Sequence, residues 1–358
     1  MAHLFEPLRL REVELPHRIV VSPMCQYSCA GLDGLATDWH LVHLGTRAVG
    51  RAAAVIAEAT AVTPDGRISP VDLGIWSDAH VEPLRRAFSF VEQQGSVPGI
   101  QLAHAGRKAS TSEPWKGGHP ISAQEGGWTP IMAPSAIPFA DGYQVPHALS
   151  VAEIVSIVEA FAAAARRAEA AGARLIELHA AHGYLLHSFL SPLSNHRTDQ
   201  YGGSFANRAR IVCDVVTAVR QVWPEKYPLL ARISATDWVE GGWTVQDSVL
   251  LAKTLKPLGV DLFDCSSGGN VYGVRIPVGP GYQAAFAEQV RREAGVLTAA
   301  VGMITEPAQA DHIIRSGQAD LVVVARQFLR DPYWPLTAAR ALGQEIKWPL
   351  QYERAKLK

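Results

Sequence analysis

Eight short apolar runs spaced along the chain are the feature that most constrains its fold. They are IVVSP (19–23), AAVIAEA (53–59), VPGIQLAH (97–104), RLIELH (174–179), LLARISA (229–235), VDLFDCS (260–266), LTAAVG (297–302) and DLVVVAR (320–326). Each is almost continuously apolar, as expected for a strand buried on both faces. Because segments with helical periodicity separate most of them, the pattern predicts a parallel (β/α)8 TIM barrel, an α/β fold. The alternative is a doubly wound open sheet, but the usual glycine-rich turn after its first strand is replaced here by SPMCQYS.

Helix start signals fall between the runs, where a barrel requires them. Ser150 and Glu153 predict a capping box ahead of an alanine-rich helix. Thr244 and Thr305 precede two further helical segments, the second with a proline in its first turn. Residues 1–358 are therefore expected to form one barrel domain, since this fold routinely reaches such a length.

One connection between the runs is unusually long. Residues 107–148 follow the third run and are rich in proline, glycine and tryptophan. A connection of this length is usually a lid or a binding loop. We therefore predict a lid-like insertion after the third strand.

Composition narrows the class of protein. The 33 basic and 34 acidic residues give a net charge of −1, which argues against a nucleic-acid partner. No apolar run is long enough to span a membrane, and the N-terminal residues lack the apolar core of a signal peptide. Four cysteines in a chain of this length are typical of a reducing compartment, so a cytoplasmic location is expected.

The ends of the predicted strands carry polar residues, and barrel active sites lie at these ends. Gly302 permits close approach of the backbone to a phosphate, and Arg326 is a bidentate phosphate donor or, alternatively, a partner in a salt bridge at the rim. The amide of Gln101 suits a heterocycle with mixed hydrogen-bonding groups. Arg232 needs an anion, which is either a core carboxylate such as Glu177 or Glu58 or a ligand that becomes anionic in turnover.

The segment HAAHGYLLH (179–187) follows the fourth run and offers three kinds of site. If the chain turns there, His179 and His182 converge. A zinc site would need a third ligand such as Cys25 or His104, and the chain has no HExxH motif. Two ordinary hydrogen-bonded histidines are the second alternative. The favoured interpretation is a pair of imidazole donors for a substrate oxygen, with the Tyr184 hydroxyl as proton donor.

The other residues of these motifs have simpler interpretations. His187 is expected to be a packing or surface residue. Cys25 and Cys29 have a spacing that suits neither a redox pair nor a zinc site. Cys25 ends a strand and is a candidate for tuning a cofactor, whereas Cys29, Cys213 and Cys265 are expected to be packing residues.

Several motifs together resemble the old yellow enzyme family. They are SPMCQYS, EATAVTPDGRI, QLAHAGRKAS, ELHAAHGYLLHSFLSPLSNHRTDQYGGSFANR, ARISATD, VGMIT and DLVVVAR. The resemblance covers nearly the whole chain, and the early cysteine and the C-terminal QYER are similar to the bacterial thermophilic-like subclass. It implies an FMN-dependent, NADPH-consuming ene-reductase without a metal. In such an enzyme NADPH reduces FMN, which then reduces the activated C=C bond of an α,β-unsaturated carbonyl or nitro compound by hydride transfer from N5, with a proton from Tyr184.

The resemblance also implies the residues that line the site. The flavin would be held by Ser22, Pro23, Met24, Cys25, Ala59, Gln101, Arg232, Gly302, Met303, Ala325 and Arg326. The substrate would be contacted by Tyr27, Lys108, His179, His182 and Arg354. His179, His182 and Tyr184 would be the catalytic residues.

The C-terminal tail is implied to complete a neighbouring site. Arg354 of QYER matches an arginine that reaches into the adjacent subunit in this subclass, which implies a homodimer or homotetramer with residues 344–358 at the interface. Two departures bear on substrate preference. The chain ends in RAKLK where the family often ends in Arg-Gly-Trp, and the 107–148 insertion is longer than in compact members.

Overall fold

A computed structural model describes residues 3–356, and it confirms the predicted barrel. Residues 1, 2, 357 and 358, at the ends of the predicted domain and tail, lie outside the described range. The barrel strands are, from first to eighth, Ile19–Val21, Ala54–Ala61, Val97–Ala103, Leu175–Ala180, Leu229–Ser234, Leu262–Ser266, Leu297–Ala300 and Leu321–Val324. All neighbouring pairs are parallel, and the eighth strand closes the barrel against the first, with Val322 beside Ile19.

Helices follow the strands on the outside of the barrel. They are Asp38–Val49, Val81–Gln93, Val151–Ala170, Leu185–Leu190, Phe205–Arg220, Val245–Leu255, Ala284–Ala294, Pro307–Arg315, Arg326–Arg330 and Trp334–Ala341. The predicted capping box is present, since the Ser150 hydroxyl accepts a hydrogen bond from the Glu153 backbone, and Thr244 caps the helix after the fifth strand. The helix at Pro307 has Glu306 rather than Thr305 at its N-cap position.

The barrel interior changes from apolar to polar toward the carboxyl ends of the strands. A short hairpin, Leu8–Leu10 with Val13–Leu15, packs into an apolar cluster at the opposite end. Residues two apart in a strand share a face. The fourth, fifth and sixth strands each contribute one residue to each of three successive layers of the interior. From the apolar end to the mouth these residues are Leu175, Glu177 and His179, then Leu230, Arg232 and Ser234, and then Leu262, Asp264 and Ser266. This alternation places a polar layer beneath the mouth of the barrel.

The long connection after the third strand is present. It contains short 3-10 turns at 106–108, 114–116 and 123–125, and its two short strands, Met132–Ala133 and His147–Ala148, pair with each other. Arg107 donates to the backbone oxygen of Asn270 at 2.6 Å, and the Trp115 ring meets the Tyr27 ring edge-on. The insertion therefore touches the loops after the sixth and first strands, while its role as a lid stays a prediction.

Within residues 3–356, no helix has the length and apolar character needed to cross a membrane.

Candidate active site

His179 and His182 of the segment HAAHGYLLH converge at the end of the fourth strand. His182 has a φ of 60°, in the left-handed region, and this turn brings its ring to a centroid distance of 5.1 Å from that of His179. The Nδ1 atom of His182 lies 3.4 Å from Nε2 of His179. Because the Ala181 backbone N–H donates to Nδ1 of His179 at 3.3 Å, the hydrogen-bond network assigns the proton of His179 to Nε2.

The second ring nitrogen of His182 is held by a serine that sequence reasoning did not single out. Its Nε2 lies 2.7 Å from the Oγ atom of Ser266, and the Ser266 hydroxyl donates to Oε1 of Gln283 at 3.4 Å. Burial and the nearby charge of Arg232 lower the pKa of both histidines well below the usual value. Both rings are therefore neutral, and hydrogen bonding decides which nitrogen of each ring carries the proton.

Tyr184 and Lys108 complete this side of the site. The Tyr184 ring stands edge-on to His179 at 4.9 Å, and the Lys108 ammonium lies 5.1 Å from the Tyr184 ring centroid. Lys108 donates to the backbone oxygen of His182 at 2.9 Å, which fixes the turn. Burial, with Cys25 and Asp72 close by, raises the pKa of the Tyr184 phenol well above 10. The phenol therefore keeps its proton and is able to donate it.

The loop after the first strand brings Cys25 and Tyr27 to the same opening. Burial and the charges of Asp72 and Glu58 raise the pKa of the half-buried Cys25 thiol well above its usual value, so the thiol is a donor rather than a thiolate. Glu58 anchors this loop, because the Gln26 backbone donates to its Oε2 atom at 2.5 Å. The half-buried Pro23 and Met24 precede Cys25 in the same loop.

The carboxylate beside Arg232 is Asp264, a residue that sequence reasoning missed. Arg232 Nε lies 3.5 Å from Oδ2 of Asp264, and its Nη1 donates to the Ser22 hydroxyl at 3.1 Å. The suggestion of Glu58 as its partner is wrong, since Glu58 is engaged by the first loop and by His40 at 3.2 Å. No hydrogen-bond partner is found for the buried Nε of Arg232 among the described residues.

Two further residues complete the polar layer. The Gln101 amide donates to Oε1 of Glu177 at 2.8 Å, and Gln101 pairs with Ala59 across the second and third strands. Burial and the nearby Asp264 raise the pKa of Glu177 to about 8, against the opposing charge of Arg232. The layer thus presents an amide and a cation to a ligand above it, while Glu177 is largely protonated at neutral pH.

A cavity of about 260 Å³ lies between the seventh and eighth loops. Gly302, Met303, Ala325 and Arg326 all line it, together with Arg330, while their role in binding a flavin phosphate stays a prediction. Gly302 has a φ of 121°, and a Cβ atom there would lie 2.8 Å from Nε2 of Gln283. The site thus requires glycine and leaves backbone groups and two guanidinium groups around a space suited to a phosphate.

Other predicted residues lie outside this constellation. His187 is fully buried with Nε2 3.1 Å from Oδ1 of Asp237, so it belongs to the scaffold and not to the surface. Cys29 and Cys265 are buried and Cys213 is half-buried. Among residues 3–356, no cluster of three or more His, Cys, Asp or Glu side chains is placed to hold a metal.

Arg354 is exposed in the 3-10 helix Leu350–Ala355. The tail before it lines a cavity with His17, Arg51 and Gln94, which precede barrel strands and so mark the opposite end of the barrel. A single chain does not bring Arg354 to its own site, and the cross-subunit role stays a prediction.

These features define a class of protein. A barrel whose mouth combines a phosphate-sized cradle, an amide, a buried guanidinium and two protonated donors, Cys25 and Tyr184, is built for a planar phosphorylated heterocycle of the flavin type. The residues fit FMN, because the Nε atom of Arg232, which has no hydrogen-bond partner in the described part of the chain, and the glycine-dependent cradle at Gly302 lie on the same open end.

Comparison with known proteins agrees with this class. The chain belongs to the NADH:flavin oxidoreductase / NADH oxidase family, the FMN-dependent old yellow enzyme family, whose profile matches residues 3–345. NADPH dehydrogenases of Geobacillus sp. (strain WCH70) and Bacillus subtilis (strain 168) are 50% and 47% identical to it, each over 98% of both chains. The old yellow enzyme homologue of Zymomonas mobilis has a TM-score of 0.80 at 25% identity, covering 97% of this chain and 95% of its own. Morphinone reductase has a TM-score of 0.78 at 28% identity, covering 97% and 91%.

Proposed function

We propose that this FMN-dependent oxidoreductase is an ene-reductase. NADPH is the reductant, as the names of the relatives at 47–50% identity suggest. The substrate is an α,β-unsaturated carbonyl compound or a nitro compound with an activated C=C bond. The observation that carries this proposal is the arrangement of His179 and His182, 3.4 Å apart between ring nitrogens, beside the protonated phenol of Tyr184.

The floor of the site holds the cofactor. FMN, when bound, would supply the hydride chemistry that links NADPH to the activated C=C bond of the substrate. Arg232 supplies a permanent cation and Gln101 an amide edge at the flavin ring, with Ser22, Cys25 and Ala59 beside it. Gly302, Met303, Ala325 and Arg326 hold the phosphate end. A fixed cation stabilises negative charge that develops above it, so Arg232 favours reduction of the cofactor.

The histidine pair binds the substrate oxygen. His179 presents Nε2–H, and His182 presents Nδ1–H once the Ser266 hydroxyl donates to its Nε2 atom instead of accepting. Two N–H groups directed at one point require an acceptor between them, and a carbonyl or nitro oxygen satisfies both. Their hydrogen bonds draw electron density away from the C=C bond and make the β-carbon electrophilic.

Tyr184 completes the addition by giving its phenol proton to the α-carbon. A general acid placed in this way typically contributes about 10²–10⁴-fold in rate. Tyr27 and Lys108 shape the same pocket, since Tyr27 lies next to Cys25 and Lys108 holds the His182 backbone.

The family resemblance supports proposals for the lid and for the subunit contacts around the site. Residues 107–148 act as a lid, and the exposed Arg354 enters the site of a neighbouring subunit in a homodimer or homotetramer. The tail at 344–358 then lies at the subunit interface. We also propose a cytoplasmic location, NADPH and the small-molecule substrate as ligands besides FMN, and neither a nucleic-acid nor a membrane partner.

A two-stage anaerobic absorbance experiment tests the assignment. The purified protein should show a flavin spectrum, lose it on addition of NADPH and regain it on addition of cyclohexenone. A protein that takes up no FMN, or one whose NADPH-bleached flavin is not reoxidised by any activated alkene, would show that the proposal is wrong.

A further inference from the structure

A small cavity lies behind Tyr184, on the side of the loop that follows the second strand. Its volume is about 10 Å³, roughly the space that a single water molecule needs, ~10–15 Å³. The lining consists of Ala59, Ala61, Gly66, Ile68, Asp72, Ala103, Ala105 and Tyr184. Asp72 and Tyr184 are the only two of these with polar side chains. Asp72 is close enough to Tyr184 for its charge to raise the pKa of the phenol, so these two side chains are the polar groups available to a water in this space.

The two carboxyl oxygens of Asp72 differ in their hydrogen bonding. The Ile68 backbone N–H donates to its Oδ2 atom at 2.6 Å, which fixes the carboxyl group in its loop. The Oδ1 atom is buried, since Asp72 is only 2% exposed, and it has no hydrogen-bond partner among the described residues. A buried polar atom without a partner is costly, so this atom needs either a proton or a water.

Further orphaned polar atoms surround the same loop. Thr63 Oγ1 and His104 Nε2 are also buried without a hydrogen-bond partner among residues 3–356, and both side chains approach Gly66, which lines the cavity, although neither lines it itself. A cluster of unpartnered polar groups is typical of a site that holds ordered water.

We propose that Asp72 and one water in this cavity form a proton relay that restores the proton of Tyr184 after each turnover. The inference rests on the proposed function, in which Tyr184 gives its proton to the substrate. When the phenol O–H bond breaks and the α-carbon gains its C–H bond, a tyrosinate remains. The water then gives a proton to the tyrosinate, the Asp72 carboxyl group gives its proton to the water, and bulk solvent reprotonates Asp72.

The electrostatic setting suits a proton donor at Asp72. Burial and the charge of Glu58 on the second strand raise the pKa of Asp72 to about 8, while Arg67 on the same loop and backbone N–H groups oppose the rise. Cys25 and Tyr27 on the first loop and Tyr184 on the fourth are the other titratable neighbours. The Cys25, Tyr27 and Tyr184 pKa values are all raised, so these groups stay neutral at neutral pH. Transfer from a carboxyl group to a tyrosinate is then downhill.

The loop around Asp72 is partly open to solvent, although Asp72 itself is buried. Arg67, Ile68 and Val71, which surround Asp72 in the loop, are only half-buried. In the proposed reaction the substrate occupies the active-site mouth when Tyr184 needs its proton. A route behind the tyrosine therefore avoids that obstruction.

Asp72→Asn tests the relay without removing the loop anchor, because the amide oxygen still accepts from Ile68. The control is Asp65→Asn, a carboxylate of the same loop that does not line the cavity. NADPH-reduced holoenzyme is mixed with cyclohexenone, and the first reoxidation of the flavin and the ultraviolet absorption of tyrosinate are followed together. We expect an unchanged first reoxidation in Asp72→Asn, followed by a tyrosinate signal that decays at least about tenfold more slowly than in the wild type.

Infrared titration gives a readout that is independent of turnover. The wild type should lose the protonated-carboxyl absorption of both Asp72 and Glu177 as pH rises through about 8, and Asp72→Asn should retain only the part that belongs to Glu177. The relay would be overturned if tyrosinate decayed at the same rate in the wild type and in Asp72→Asn. It would also be overturned if the first reoxidation in Asp72→Asn were slowed as much as the tyrosinate decay. Tyr184→Phe separates the two ideas, because an undiminished first reoxidation in that variant would overturn the proposed proton donor itself.

Discussion

The Nε2 atom of His182 lies 2.7 Å from the Oγ atom of Ser266. This contact determines what His182 can offer a substrate. In the present arrangement Ser266 donates to Gln283 and accepts from His182, so Nδ1 of His182 is an acceptor for His179. A substrate oxygen requires the reverse, with Ser266 donating to Nε2 and His182 presenting Nδ1–H. The hydroxyl group of Ser266 is able to play both parts because it is donor and acceptor at once.

Ser266→Ala should therefore weaken the binding of the substrate oxygen. Without the hydroxyl group, Nε2 of His182 has no donor to fix the required tautomer. We expect kcat/KM for cyclohexenone to fall by roughly fivefold, the equivalent of one hydrogen bond of about 1 kcal/mol. Ser267→Ala is the matched control, since Ser267 donates to Oε1 of Gln283 at 2.6 Å, whereas the hydroxyl group held by Nε2 of His182 is that of Ser266. Equal losses in the two variants would contradict the tautomer argument.

Cys25→Ala should make the reduction potential of bound FMN more negative. The thiol keeps its proton, so it is able to donate to the flavin, and loss of a donor destabilises the electron-rich reduced form. The expected shift is on the order of 20 mV, because a hydrogen bond contributes about 1 kcal/mol and 30 mV corresponds to ~1.4 kcal/mol for two electrons. A spectroscopic redox titration measures it, with Cys213→Ala as the control. An unchanged potential would reduce Cys25 to a packing residue.

Glu177→Gln should change how stability depends on pH. The folded pKa of Glu177 is raised to about 8 from the ordinary 4.5, so the folded state binds a proton that the unfolded state has lost. Its contribution to stability is full below pH 4.5 and is lost as pH rises through about 8. Between these limits the wild type should lose more than about 1 kcal/mol in free energy of unfolding relative to the variant.

Denaturant unfolding at a series of pH values, with FMN in fixed excess, measures this difference. The glutamine retains an oxygen that accepts from Gln101, which limits other effects. Glu159→Gln, an exposed position on the helix Val151–Ala170, is the control and should follow the wild type. Parallel curves for the wild type and Glu177→Gln would contradict the raised pKa.

The barrel was predictable because its strands are buried on both faces, so each strand is visible in the sequence as an apolar run. The pairing of His179 with His182 was predictable for a local reason, since a turn brings residues three apart to one side. The flavin and substrate roles came from resemblance to a family and not from periodicity.

Contacts between distant strands could not be predicted in the same way. Asp264 lies in the run VDLFDCS, and nothing in that run indicates that it pairs with Arg232 on the neighbouring strand. Ser266 meets His182, and Gln283 meets Ser266, only because the fold brings the ends of the fourth and sixth strands together. Asp72 had no sequence signal beyond its place in a loop, because its significance depends on a cavity formed by three separate segments.

The comparison of the two half-reactions in Tyr184→Phe tests the central claim most directly. Rapid mixing follows reduction of the flavin by NADPH and, separately, its reoxidation by cyclohexenone. Reoxidation should slow by about 10²–10⁴-fold, because the general acid is lost, while reduction by NADPH stays close to the wild-type rate. Equal slowing of both half-reactions, or an unchanged rate of reoxidation, would contradict the assignment of Tyr184 as the proton donor of an ene-reductase.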